Sequence, residues 1–293
     1  NDITSVQEGA WRSEKLEKLF VYLAMNRNRG VCIEDISEAI WQVEEETDNP
    51  VGALKNLAYR LRKALRDASF GEECIVSVRG GLYKWNDDVE VTIDVEEFDR
   101  YINEAEMAFC RSKETAIESY EKAIALYHGD FLPLRTDTHW FMTLNAFYHS
   151  RYVNTVKALA KLYIDTGCYE KLEQLCTRAI VYERSDEQIY SYLIVARMRT
   201  KKVQMAFDTY ETAKAIMDKD LGVRKTVMLN KVYEELLSVT KGASSYNIDE
   251  VKDDISEESM NGVFMCGYPV FKEIYQLEVR KSARSTIPES LVL

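Results

Sequence analysis

At 293 residues, with 46% hydrophobic and 30% charged side chains and only 12 Gly and 4 Pro, the chain is too long for one comfortable core and predicts two folded, helix-rich domains. Its net charge of -11 makes the molecule as a whole repel nucleic acid, so any such contact has to come from a local basic face. No apolar run approaches the roughly 20 residues of a membrane span, which predicts a soluble protein.

Ser13 to Asn26 reads as a helix, with Leu16, Leu19, Phe20, Leu23 and Ala24 in one apolar stripe and Ser13 placed to cap its start. Asn28, Arg29 and Gly30 stop it. A short helix follows, Ile33 to Trp41, carrying Ile33, Ile36, Ile40 and Trp41 on one side. Gln42 to Asn49 is acidic, with Glu44, Glu45, Glu46 and Asp48 ahead of Pro50, and reads as a solvent loop.

Val51 to Ala68 is the most informative stretch. Leu54, Leu57, Ala58, Leu61 and Leu65 recur at helical spacing and can pack on a core. The other faces carry Lys55, Asn56, Tyr59, Arg60, Arg62, Lys63 and Arg66, with five positive charges and no acid between Val51 and Arg66. In so acidic a chain that surface points to an anionic partner. From Trp11 to Trp85 as a whole, twelve Lys and Arg balance twelve Asp and Glu, so the acidity lies mainly beyond.

Ile75 to Val78 and Leu82 to Trp85 are strand-like and joined through Arg79, Gly80 and Gly81, where a Gly pair supplies the positive φ of a tight hairpin. Helices, one of them basic, followed by a β-hairpin are the order of a winged helix-turn-helix. The basic helix would then enter the major groove, with Arg79 reaching phosphate or the minor groove. On that reading Arg60 and Arg62 can bond guanine edges, Asn56 can read adenine, and Lys55, Lys63 and Arg66 hold phosphates; Tyr59 stacks, bonds phosphate or merely packs.

From Val95 onward the pattern is helical and repetitive. Ala179 and Ala213, Cys176 and Tyr210, and Gly167 and Lys201 are each 34 residues apart, the tetratricopeptide period. The trios Ala206, Tyr210, Ala213 and Leu172, Cys176, Ala179 place small residues where paired helices approach closely. Ala116, Tyr120 and Ala123 repeat the spacing out of phase, which predicts an insertion holding Gly129 to Pro133 and the aromatic run His139 to Tyr148. Lys241 to Met260 is polar and reads as a linker; Phe264 to Leu293 regains order, with a helix around Phe271, Ile274, Tyr275 and Leu277, and stops inside an element, as a piece of something longer would.

These residues resemble a known family. Trp11 to Trp85 is similar to the OmpR/PhoB-type winged helix, in the run from Val51 to Leu65 and the hairpin from Val78 to Tyr83. Val95 to Val239 resembles the bacterial transcriptional activator domain, most tellingly in Leu126 to Pro133 and Met217 to Val223. In that order the two look like activators of the antibiotic-regulatory-protein (SARP) type. The resemblance implies double-stranded promoter DNA with direct repeats as partner, a homodimer on that DNA, and RNA polymerase contact through the loop holding Glu44, Glu45, Glu46 and Asp48. It also implies a small sheet ahead of the first helix, of which Ile3 to Ala10 would be the tail. Gly262 to Leu293 resembles the opening of a degenerate GGDEF-type domain without that motif, so no cyclase activity is implied.

The expected fold is therefore mainly α: a winged helix-turn-helix (α+β) over residues 1–93, an α-helical TPR-like domain over 94–240, a linker over 241–260 and the start of a further domain over 261–293. No membrane partner, cofactor or metal is expected. The six cysteines form no Cys-x-x-Cys pair, and without a signal peptide they predict a reducing cytoplasm in which thiols are small core hydrophobes. His128, His139 and His149 lack the spacing of metal ligands or of a base beside a nucleophile, so catalysis is not expected. Trp140, Phe141, Phe147, Tyr148 and Tyr152 suit a helical core or a regulatory pocket. The competing functional reading is a protein-interaction adaptor whose repeats bind a partner while the winged helix is not used on DNA.

Overall fold

The structure, a computed structural model, describes residues 13–41, 49–67, 74–78, 81–129, 138–221, 226–243, 274, 276 and 277. Residues 1–238 form one compact unit and 239–293 a second. Of the second, Ile274, Gln276 and Leu277 are helical and exposed; the rest of the predicted C-terminal piece, most of the linker and the N-terminal segment Ile3 to Ala10 lie outside the described residues.

Three helices, α1 (Glu14–Met25), α2 (Ile33–Ile40) and α3 (Pro50–Asp67), precede two antiparallel strands, β1 (Ile75–Val78) and β2 (Leu82–Trp85). The strands pair in the register Ile75 opposite Trp85 and Ser77 opposite Tyr83, and Gly81 carries the positive φ, 78°, at the turn. Val31 extends the ribbon: its N–H donates to the Tyr83 carbonyl at 2.7 Å and the Tyr83 N–H returns the bond at 2.8 Å. Gly30, which the sequence shows as a helix stop, thus also leads into a bridge with the hairpin. Ser13 occupies the N-cap of α1 without a side-chain bond, whereas the Cys32 Sγ caps α2 by accepting from the Asp35 N–H. One core fills this part, with Leu19, Leu23, Ile36, Leu54, Leu61 and Ile75 at its centre.

The helical part runs α4 (Asp94–Ala108), α5 (Lys113–Leu126), α6 (His139–Thr166), α7 (Tyr169–Tyr182), α8 (Glu187–Arg199), α9 (Val203–Leu221) and α10 (Val227–Ala243). Consecutive helices from α4 to α9 pack on one another. All nine residues of the three trios are buried, so the recurring Ala, ring and Ala positions are where neighbouring helices meet. The 34-residue period has a backbone meaning too. Gly167 ends α6 with φ 71°, and Lys201, one period on, ends α8 with φ 63°. In both, the following N–H reaches back to close the helix, Cys168 to the Tyr163 carbonyl and Lys202 to that of Arg197, each at 2.8 Å.

Polar ties lock the repeats. Buried Glu173 on α7 meets Arg197 of α8 at 3.4 Å and Lys202 at 2.7 Å. Glu187 at the start of α8 accepts the N-terminal amides of Met228 and Leu229, at 2.7 and 3.0 Å, satisfying donors that α10 cannot bond internally. The aromatic run expected inside an insertion is instead the first half of α6, 28 residues long and twice the length of α5 or α7. Its Trp140 packs into the N-terminal core, while Met25 of α1 packs against the helical one.

Among the described residues no helix is long and apolar enough to cross a membrane. Of the described cysteines, Cys74 and Cys176 are buried, as core packing requires, and Cys110 is exposed.

Candidate nucleic-acid interface

Helix α3 starts where its sequence dictates. Asn49 precedes Pro50, and its side-chain oxygen accepts from the Gly52 N–H at 2.9 Å, while its carbonyl receives Ala53 at 3.0 Å. Gly52 is needed for this: a Cβ there would meet the Asn49 amide nitrogen at 2.8 Å. Leu54, Leu57, Ala58, Leu61 and Leu65 are all buried, so the apolar stripe seats the helix on the core and fixes which side faces outward. Each buried leucine contributes on the order of 2 kcal/mol.

The outward side carries Lys55, Asn56, Tyr59, Arg60, Lys63 and Arg66, all exposed, Tyr59 by 63%. Lys55, Arg60, Lys63 and Arg66 take part in no ion pair among the described residues, whereas Arg27, Lys84, Arg100, Arg151 and Lys157 each hold a carboxylate. From Lys55 to Arg66 the charged face spans roughly 16 Å at about 1.5 Å per residue. Exposed cations on a ridge that long present a positive potential to an anionic, groove-shaped partner.

Arg62 is placed differently from its neighbours. It is half-buried, and its Nε–H donates to the Ile75 carbonyl of β1 at 2.9 Å. The contact joins the basic helix to the hairpin, and the fork that sequence spacing groups with Arg60 is turned toward the strand. Nothing in local periodicity signals this bond, because the carbonyl lies thirteen residues away. Arg79 on the hairpin, and Glu44, Glu45, Glu46 and Asp48, lie outside the described residues.

Elsewhere the histidines are held by neighbours: His149 lies 3.3 Å from the Tyr127 hydroxyl and 3.0 Å from Glu183, and His128 lies 2.8 Å from the Leu126 carbonyl. No grouping of His, Cys, Asp and Glu able to hold a metal occurs among the described residues.

Residues 93–237 match the family described as the bacterial transcriptional activator domain, so the class to which the helical part points is transcriptional regulators. The transcriptional regulator RedD of Streptomyces coelicolor is 23% identical over 238 residues, which cover 80% of this chain and 67% of RedD. EmbR of Mycobacterium tuberculosis, in complex with a low affinity phosphopeptide, superposes with a TM-score of 0.60 at 19% identity, over 77% of this chain. The chain spans 59% of the EmbR chain, and at that identity the likeness is one of fold.

Proposed function

We propose that the chain is a sequence-specific transcription regulator whose α1–α3 and hairpin form a winged helix-turn-helix on double-stranded DNA, under the control of the helical repeats. The observation that carries this reading is the row of four exposed cations on α3 that hold no ion pair among the described residues, in a chain of net charge -11. Arg60 and Asn56 are suited to base edges, Lys55, Lys63 and Arg66 to phosphates, and Tyr59 to either stacking or a phosphate bond. Arg62 then positions the hairpin, whose Arg79 would reach the backbone. Activation through RNA polymerase at the acidic loop, and a homodimer on direct repeats of a promoter, complete the reading.

The test selects fragments from random DNA with the full chain and measures their affinity against salt. Affinity should fall steeply with ionic strength, and Arg60→Ala with Lys63→Ala should weaken it at least about tenfold, because each lost contact is worth about 1 to 3 kcal/mol. Flat salt dependence, or an unaltered double variant, removes the reading. A protein partner captured in stoichiometric amount with no DNA fragment enriched would favour the adaptor alternative.

A further inference from the structure

We propose that the cleft between α1, α2 and the first half of α6 is a binding site for a small organic cation, a primary or secondary amine carrying an apolar aromatic body. The cleft has a volume of about 610 Å³, inside the range of roughly 300 to 1,000 Å³ typical of ligand sites. Three aromatic rings line it: Tyr22 and Trp140, in edge contact at 5.0 Å, and Phe147. Phe147 is 52% exposed, a large ring left uncovered in the wall of a concavity.

The charge contributed by α2 selects the sign of the ligand. Asp35 and Glu38 stand one turn apart on α2, exposed, and neither is in an ion pair among the described residues. Like charges at that spacing repel, and a cation set between them relieves the repulsion. Burial first, and then the Asp35 charge, hold the Tyr22 phenol above its ordinary pKa, so negative potential reaches into the aromatic lining. Arg29 is the opposing charge, its Nε–H given to the Asn26 side-chain oxygen at 3.0 Å. His139 and Thr143 add polar groups, the Thr143 hydroxyl already donating to the His139 carbonyl at 2.8 Å. Two carboxylates against one guanidinium leave the cleft negative, and ring faces attract cations further. An apolar amine satisfies the rings and the carboxylates at once; a carboxylate would face two of its own kind.

Because the lining comes from α1 and α2 on one side and α6 on the other, an occupant would tie the proposed DNA-reading helices to the repeats. Only that consequence rests on the function proposed above. Binding is therefore measured on the full chain without DNA. The probes are 1-naphthylmethylamine, its neutral analogue 1-naphthalenemethanol and the anion 1-naphthylacetate, followed by calorimetry and by ligand-observed NMR.

The amine should saturate a single site at least about tenfold more tightly than either analogue. Phe147→Ala, and Asp35→Asn with Glu38→Gln, should each lower that affinity at least about tenfold with the melting temperature unchanged, since all three side chains are exposed. Equal binding of the three probes, preference for the anion, no saturable binding of the amine, or insensitivity to Asp35→Asn with Glu38→Gln would overturn the site. None of those outcomes alters the DNA experiment, which is read separately.

Discussion

Tyr152 shows how a single side chain can be both central and unsatisfied. It is 0% exposed, stacks on Tyr127 with centroids 3.9 Å apart and meets Tyr182 edge-on at 5.7 Å, yet its hydroxyl has no hydrogen-bond partner among the described residues. A buried hydroxyl without a partner costs on the order of 1 kcal/mol or more. Tyr152→Phe should therefore leave stability at neutral pH unchanged or raise it by about 1 kcal/mol, measured by chemical denaturation; a loss above about 1 kcal/mol would show that the hydroxyl is satisfied. Burial also pushes this phenol up to about 12, whereas an unfolded tyrosine releases its proton near pH 10, at about the ordinary value. The folded pKa is the higher one, so the associated stability is fully present below the unfolded pKa and is lost as pH rises from there toward the folded value. The substitution should thus also soften the loss of stability in alkali, read by repeating the denaturation above the ordinary tyrosine pKa. At this scale the sequence is least explicit: it marks Tyr152 as aromatic on a helix and Arg62 as basic on a helix. Which carbonyl Arg62 meets, and that the Tyr152 hydroxyl finds no hydrogen-bond partner among the described residues, depend on chain segments beyond the local helix.

Elements were more legible because their signals are local. The leucine stripe of α3, the strand runs and the glycine at the hairpin turn are set within a few residues, and the structure places helix and strands within a residue or so of the sequence reading. The bridge from Val31 to Tyr83 was not legible, since an isolated bridge has no periodicity of its own. The repeat period was visible at Gly167 and Lys201, but its cause was hidden, because lysine is not a residue that announces a left-handed turn. With φ at 63°, Lys201 adopts a conformation that costs L-residues with a Cβ roughly 1 kcal/mol, whereas Gly167 adopts its own at no such cost. Lys201→Gly should then stabilise the chain, by up to about 1 kcal/mol, and Gly167→Ala should destabilise it by a similar amount. Nothing lies within 4 Å of a Cβ built on Gly167, so its loss would report backbone strain alone and not a clash. Thermal melts of the two variants check the pair: equal effects of the same sign would mean the two turns are not equivalent.

Across the molecule, the neutral N-terminal helices and the acidic repeats are held together by a small set of contacts. Arg27, at the end of α1, gives both terminal guanidinium nitrogens to the Glu96 carboxylate of α4, and the Trp140 ring inserts edge-on against Tyr22. The hydrogen bonds to Glu96 raise the Arg27 pKa above its ordinary value. Glu96 is 41% exposed, however, so solvent screening limits the ion pair to about 1 kcal/mol or less. The ring contact adds on the order of 1 kcal/mol beyond its burial. Each part meanwhile has its own core, one around Leu19, Ile36 and Leu61 and another around Tyr152, Leu159 and Ala179. Two parts whose cores are separate, the repeats having a further cluster around Ile194, Tyr210 and Leu229, and which are joined by a weak seam, should come apart before either melts. Arg27→Ala with Trp140→Ala is expected to split one unfolding transition into two, and to speed amide exchange along α1 at Tyr22 to Met25 while α7 and α8 keep their protection. A single cooperative transition in that variant, with uniform exchange, would mean that the seam is stronger than its visible contacts and that the two parts act as one body.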